Sequence, residues 1–306
     1  MNFDNRITNP ELRHDFLVLF DVQDGNPNGD PDAGNMPRVD PETMQGLVTD
    51  VCIKRKVRDY VDLALGDQEL YKIYVQNKGI ALNDLHKRAY VGCKKTSTGA
   101  KQKREDVMEV RAWMCKNFYD IRMFGAVMTT EVNCGHVRGP VQLTFARSID
   151  PITPLDVSIT RVAITRPADA SVVVGETGDE QGKGKVTEMG RKAMLPYGLY
   201  LGRGFFSPKF AKDTGVTSQD LELFWEALVR VWDLDRSASR GFMALRGLYV
   251  FTHENPLGNA HAHELFARLQ VQRKPEVEAA RSFADYVTTF DTENLPPGVT
   301  LTRVVG

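Results

Sequence analysis

Four aspartates, Asp21, Asp24, Asp30 and Asp32, crowd one short stretch, and the segment Asp24-Gly25-Asn26-Pro27-Asn28-Gly29-Asp30-Pro31-Asp32-Ala33-Gly34-Asn35 alternates carboxylates with turn-forming residues. Carboxylates so spaced can hold a catalytic divalent metal or act as a general base in RNA cleavage. The segment also copies the first half of a calcium-binding EF-hand loop. Its closing position, however, is Asn35 instead of a bidentate glutamate, and no helix leads into it, which argues against calcium. The plainest role for these acids is to turn and solubilise a loop. A second chemistry lies just downstream, where Arg38, Lys54, Arg55, Lys56 and Arg58 follow the glycines. Backbone N–H groups of a Gly-rich loop, a helix N-terminus and a cluster of cations in one segment suit a run of phosphates. A solvated helix face is the competing reading of the same charges. The phosphate-binding candidates here are Asn28, Arg38, Thr49, Lys54, Arg55 and Arg58.

The elements that must position these residues can be read from periodicity. Phe16 to Phe20 and Val22 form a short continuous apolar run, the pattern of a strand buried on both faces. The Gly/Pro/Asn loop ends it. Helical period begins after Thr49, a candidate N-cap, with Ile53, Val57, Tyr60, Val61 and Ala64 on one face and Gly66 placed to stop it; Lys54, Arg55, Lys56 and Arg58 fall on the flanks and far side. Gly66 to Thr98 reads as an insertion, and Arg104 to Met123 regains helical spacing. Gly135 to Pro140 leads into a half-buried strand through Val141, Leu143 and Phe145, with Arg138 at its entrance. Ile159 to Ile164 is a further strand. The glycine- and charge-rich stretch from Arg166 to Lys192 has too little to bury and is expected to project as a hairpin or loop.

Tyr197 to Phe206 reads as a returning strand broken by Gly202 and Gly204. The clearest helix follows, capped at Thr217 or Ser218, with Leu221, Phe224, Trp225, Leu228, Val231 and Trp232 as a core stripe. Phe242 to Phe251 is a last strand, and His261 to Thr289 is expected to be helical. Arg240-Gly241-Phe242 matches only the opening of an RNA-recognition RNP1 motif. Strand, helix, strands, helix, strand predicts an α+β fold on a split β-α-β ferredoxin-like core.

Composition narrows the function classes. The 306 residues carry a formal net charge of −1, ordinary for a globular protein and unlike a free nucleic-acid binder. The charge is segregated: Leu85 to Arg104 holds seven Lys or Arg and no acid, whereas Asp21 to Glu42 holds six acids against Arg38 alone. Such a chain could grip nucleic acid along one strip, or dock opposite patches between copies. No apolar run reaches membrane-spanning length and Met1 to Asp15 lacks a signal-peptide core, so a cytoplasmic protein is expected. Cys52, Cys93, Cys115 and Cys134 are far apart, and His253, His261 and His263 lack ligand partners at metal spacing, so neither zinc nor a disulfide framework is expected.

Two blocks carry a resemblance. The first runs from Phe20 through the loop, then Pro37-Arg38-Val39-Asp40-Pro41 and on through Gly46 to Lys56. The second is Val137-Arg138-Gly139-Pro140-Val141-Gln142-Leu143-Thr144-Phe145-Ala146-Arg147-Ser148-Ile149-Asp150-Pro151-Ile152. Together they resemble the backbone subunit family of the type I-C CRISPR Cascade complex. The resemblance implies a modified RRM/ferredoxin-like palm spanning 1–306, a helical finger insertion at 66–125 and a projecting thumb at 166–196. It implies a non-catalytic subunit without cofactor or metal that polymerises head to tail along the CRISPR guide RNA beside other Cascade subunits. Holding the RNA by its backbone would leave its bases to pair with target DNA. Under that reading Arg138 and Arg240 join the RNA contacts, and at the thumb Met189 wedges against a base while Arg191 and Lys192 hold the flanking phosphates and Arg166, at the thumb's base, is a further RNA contact. Related type III subunits cleave RNA with an acid in the loop after the first strand. A metal-dependent endoribonuclease using Asp24, Asp30 or Asp32 is therefore the alternative.

Overall fold

The computed structural model describes residues 1, 3–97, 99, 101–161 and 188–306. Arg166 and most of the expected thumb lie outside them. The elements are β1 (Arg13–Gly25), β2 (Gly29–Asp30), β3 (Met36–Pro37), β4 (Gln45–Val48), α1 (Asp50–Leu65), α2 (Leu82–Gly92), α3 (Arg104–Asn117), α4 (Tyr119–Phe124), β5 (Gly125–Thr129), β6 (Asn133–Arg138), β7 (Val141–Leu143), β8 (Ala146–Pro151), β9 (Leu155–Arg161), β10 (Glu188–Phe206), α5 (Pro208–Thr214), α6 (Ser218–Leu234), β11 (Phe242–His253), α7 (Ala262–Phe266), β12 (Leu269–Arg273), β13 (Tyr286–Phe290) and β14 (Val299–Val305).

The main sheet is antiparallel, in the order β14-β11-β1-β10-β8-β4, with β7 and β9 also pairing along β10. Its centre, β11-β1-β10-β8, places the fourth, first, third and second strands of a β-α-β-β-α-β unit side by side, with α1 and α6 as the two crossover helices. The α+β ferredoxin-like expectation describes this core.

Both faces of β1 are buried, each by a different layer. Phe16, Val18, Phe20 and Val22 face the helices, where Phe16 meets Phe224 and Trp225 edge-on and Phe20 stacks on Trp232 with ring centroids 4.6 Å apart. Leu17 instead packs with Phe251, Leu265, Phe266 and Leu269, and Leu19 with Tyr197, Leu199 and Tyr286. The second cover is the C-terminal segment, which differs from the helix expected over His261 to Thr289. Only α7 is helical. Alternating Val271, Val287 and neighbouring threonines pair as the β12–β13 hairpin, which β-branched residues favour.

Two other expectations need correction. β10 is continuous through Gly202 and Gly204, because the Phe16 ring fills the space a Cβ on Gly204 would take. The helix expected over Arg104 to Met123 is two helices. Phe118 turns extended (φ −115°, ψ 112°), and α4 restarts at an angle that buries all six of its residues.

α4 lies between the sheet-and-helix core and a second apolar cluster made by Tyr74, Leu85, Tyr90, Val110, Met114, Ile121, Met128 and Val137. Tyr119, Met123 and Phe124 belong to the first and Ile121 to the second. The intervening polar side chains are paired. Asp120 accepts from Arg58 Nε at 2.7 Å and from the Tyr74 and Val75 amides, and Arg122 grips Asp220 through Nε and Nη2 at 3.0 and 2.6 Å. Asp220 is itself held in the capping box of α6 with Thr217, so the insertion is tied to both crossover helices.

His14 is fully buried on β1, with its Nε2 against the Asn9 carbonyl and its Nδ1 against the Thr252 hydroxyl. That pattern suits a neutral ring, and burial lowers its pKa to about 4. The unfolded chain therefore binds a proton that the folded chain refuses, and stability falls as pH drops from about 6.5 towards about 4, by about 3 kcal/mol for this group alone. Asp21, raised by burial, acts in the opposite sense. Urea denaturation of wild type and His14→Asn across this window isolates the histidine: the wild type loses more stability on acidification, and equal slopes would contradict the assignment.

Candidate nucleic-acid interface

The loop after β1 turns its polar groups inward. The Asn26 amide donates to Ser239 O at 2.7 Å and its Nδ2 to Asn35 O, while the Asn35 and Arg38 amides bond to Asp30 O and Asn28 O within the loop. Asn28 Oδ1 accepts from both the Thr49 amide and its hydroxyl at 2.9 Å, and Thr49 in turn caps α1 by accepting from Cys52 N. Asn28 and Thr49 thus bind each other, and the open cradle of N–H groups expected from the glycines is largely used up by the fold.

The cations of α1 divide by depth. Arg58 is buried against Asp120 with its guanidinium over Phe124, and Lys56, 2% exposed, pairs with Asp235 on the α6 side. Neither lies on a solvated flank, because the helix presses that side onto α4 and α6. Arg58 is therefore a structural pair and not a free phosphate ligand. Arg55 stays exposed, 3.7 Å from Asp59. Lys54 bonds Asp50 at 3.0 Å and reaches within 5.9 Å of the Phe124 ring centroid. Arg38 pairs with Asp30 at 3.3 Å and Arg240 with Asp235 at 3.1 Å.

Phe124 also lines an open groove of about 470 Å³ with Gly125, Val127, His136, Arg138, Gly139 and Gln142; Lys54 is not among its lining residues and meets it only through the Phe124 ring. Its floor is bare backbone. A Cβ on Gly139 would collide with Phe124 and Gly125, and Gly125 sits at φ 80°, so only glycine fits at the crossing. Val127 stands 76% exposed on the wall. Arg138 is exposed, has no acidic partner among the described residues, and holds its guanidinium carbon over the ring of Phe210 of α5, 4.3 Å from the centroid. Sequence reading missed Phe124, Val127, His136, Gln142 and Phe210. Gln142 and the Gly139 turn lay inside the second matching block, but nothing in their spacing signals a groove.

At the far end of β10, residues 188–194 run past β1 and pair with β9. Met189 is 76% exposed, opposite Thr160. Arg191 shares its face and pairs with Asp156 at 3.1 Å, whereas Lys192, half-buried opposite Val157, points to the other face, as strand alternation requires. Arg191 and Lys192 therefore do not flank Met189 together.

The aspartates do not converge. Asp21 is buried beneath the C-terminal layer, bonded to Tyr197 and Arg246, and its pKa is raised by desolvation. Asp30 caps the turn at Pro31–Ala33 and pairs with Arg38; Asp24, at φ 49°, and Asp32 are exposed. Among the described residues no three potential ligands gather as a metal site.

The model of the family described as CRISPR-associated protein Cas7 matches residues 12–291. The chain belongs to the Cas7 family. A protein of the same description from Haloferax volcanii is 27% identical over 298 residues, covering 90% of this chain and 79% of that one. Among solved structures, a chain of a CRISPR RNA-guided surveillance complex in a pre-nicking state aligns at 14% identity and TM-score 0.48, covering 78% of each chain. A chain of a type III-B Cmr-beta complex bound to cognate target RNA aligns at 12% and 0.40, covering 78% of this chain and 61% of that one. The family match includes both walls of the groove and excludes only β14 and the chain ends.

The depth of the two α1 cations separates their roles. Arg58→Ala strands the Asp120 carboxylate and should cost about 3–5 kcal/mol in chemical denaturation, whereas Lys54→Ala should cost about 0.5 kcal/mol or less. Similar costs would overturn the division.

Proposed function

We propose that this Cas7-family chain is the non-catalytic backbone subunit that polymerises along a CRISPR guide RNA in a type I-C Cascade surveillance complex. The observation that carries the reading is Arg138, exposed and without a carboxylate partner among the described residues, on an open groove lined by Gly125 and Gly139, where a phosphodiester can approach closely. Guide bases held this way stay free to pair with target DNA. Residues 66–138, with their own apolar cluster, act as the finger, extending the expected 66–125 to the end of β6. The β9–β10 ladder is the base of the thumb, and Met189 wedges between guide bases of a neighbouring copy with Arg191 beside it. Successive copies associate head to tail in the cytoplasm, and other Cascade subunits join them. Dispersal of Asp21, Asp24, Asp30 and Asp32 weighs against the endoribonuclease alternative.

Lys54→Ala and Arg138→Ala should weaken binding to unrelated guide sequences alike and reduce the salt slope by about 0.7 each. Sequence-selective loss would remove the backbone-binding role. Mass measurement on guides of increasing length should show stepwise added copies, since a heterologous contact that does not close gives a helix; a closed dimer on every guide would contradict polymerisation. Incubation with complementary RNA and magnesium or manganese should leave the RNA intact. Cleavage abolished by Asp24→Ala or Asp30→Ala would move the assignment to a nuclease.

A further inference from the structure

Arg138 and Phe210 come from separate elements, yet the backbone fixes them together. The Ser207 amide, just before α5, donates to Pro140 O at 3.0 Å and so ties the start of α5 to the turn that follows Arg138. On the other side of that turn Gly139 is pressed against the Phe124–Gly125 backbone. The backbone at Arg138 is thereby held beside α5, and the ring of Phe210, half-buried, lies 4.3 Å by its centroid from the guanidinium carbon. A guanidinium stacked flat on an aromatic ring keeps its N–H edge free, and that edge matches a phosphate with two parallel hydrogen bonds. Every other arginine proposed above for RNA contact, among the described residues, has a carboxylate beside it: Arg38 has Asp30, Arg55 has Asp59, Arg58 has Asp120, Arg191 has Asp156 and Arg240 has Asp235. Arg138 has a ring instead.

We infer that Phe210 is a positioning residue for nucleic-acid binding: it stacks Arg138 flat so that the guanidinium edge faces the groove and takes a backbone phosphate in bidentate fashion. The inference rests on the RNA-binding reading of that groove. Phe210 itself touches no RNA in this arrangement, and its effect passes entirely through Arg138.

The test is a double-mutant cycle on full-length protein, measuring binding to fluorescent single-stranded RNA across a salt series, with thermal melting alongside. Phe210→Leu should weaken binding about two- to fivefold and Phe210→Trp should restore it, with melting of Phe210→Leu close to wild type. Arg138→Lys, which keeps the charge but loses the planar edge, should behave like Phe210→Leu. Adding Phe210→Leu to Arg138→Ala should cause no further loss. Additive losses, failure of tryptophan to rescue, or an unchanged affinity in Phe210→Leu would overturn the positioning role while leaving RNA binding intact. Failure of the wild-type protein to bind RNA at all would instead sink the underlying reading.

Discussion

Two buried ion pairs on α4 hold this molecule in one piece. Asp120 and Arg122 are two residues apart on a helix with no solvent-facing side, and each meets an opposite charge from a different crossover helix, Arg58 of α1 and Asp220 of α6. Buried charges are costly unless every hydrogen-bonding position is matched. Here Asp120 Oδ1 accepts from the Tyr74 amide and Oδ2 from the Val75 amide and Arg58 Nε, and Arg122 also donates to the Cys115, Lys116 and Leu70 carbonyls. Such pairs specify geometry more than they add stability. They tie the second apolar cluster to both crossover helices.

The groove is a by-product of that joint. α4 ends at Phe124, the chain enters β5 at Gly125, and the return strand β6 ends at Arg138–Gly139 against the same backbone. The Arg58 guanidinium, paired with Asp120, lies 5.2 Å from the Phe124 ring centroid, and the Lys54 ammonium, one turn earlier on α1, lies 5.9 Å from the same centroid. One helix thus sets two cations against Phe124, a ring that also lines the groove.

This division explains what could be read in the sequence and what could not. Thr49 and Thr217 announce their helices because a cap is a local interaction, and the apolar run of β1 announces a doubly covered strand. Arg58 and Lys56 look no different in sequence from Lys54 and Arg55, since their burial depends on Asp120 and Asp235, far away along the chain. Phe210 was invisible for the same reason: its partner Arg138 is 72 residues earlier (210 − 138). The β12–β13 hairpin was misjudged because its apolar residues, Leu269, Val271 and Phe290, answer to the sheet they cover and follow no helical spacing.

That hairpin has a consequence for how the protein can vary. An open sheet tolerates exchange at every second residue of its strands, because one face meets only solvent. With helices on one side of β1 and the C-terminal layer on the other, alternation disappears: from His14 to Val22 every side chain is enclosed. Substitution along this strand should therefore be punished without interruption, whereas β10 beside β9, where the strand outruns β1, has exposed positions such as Met189.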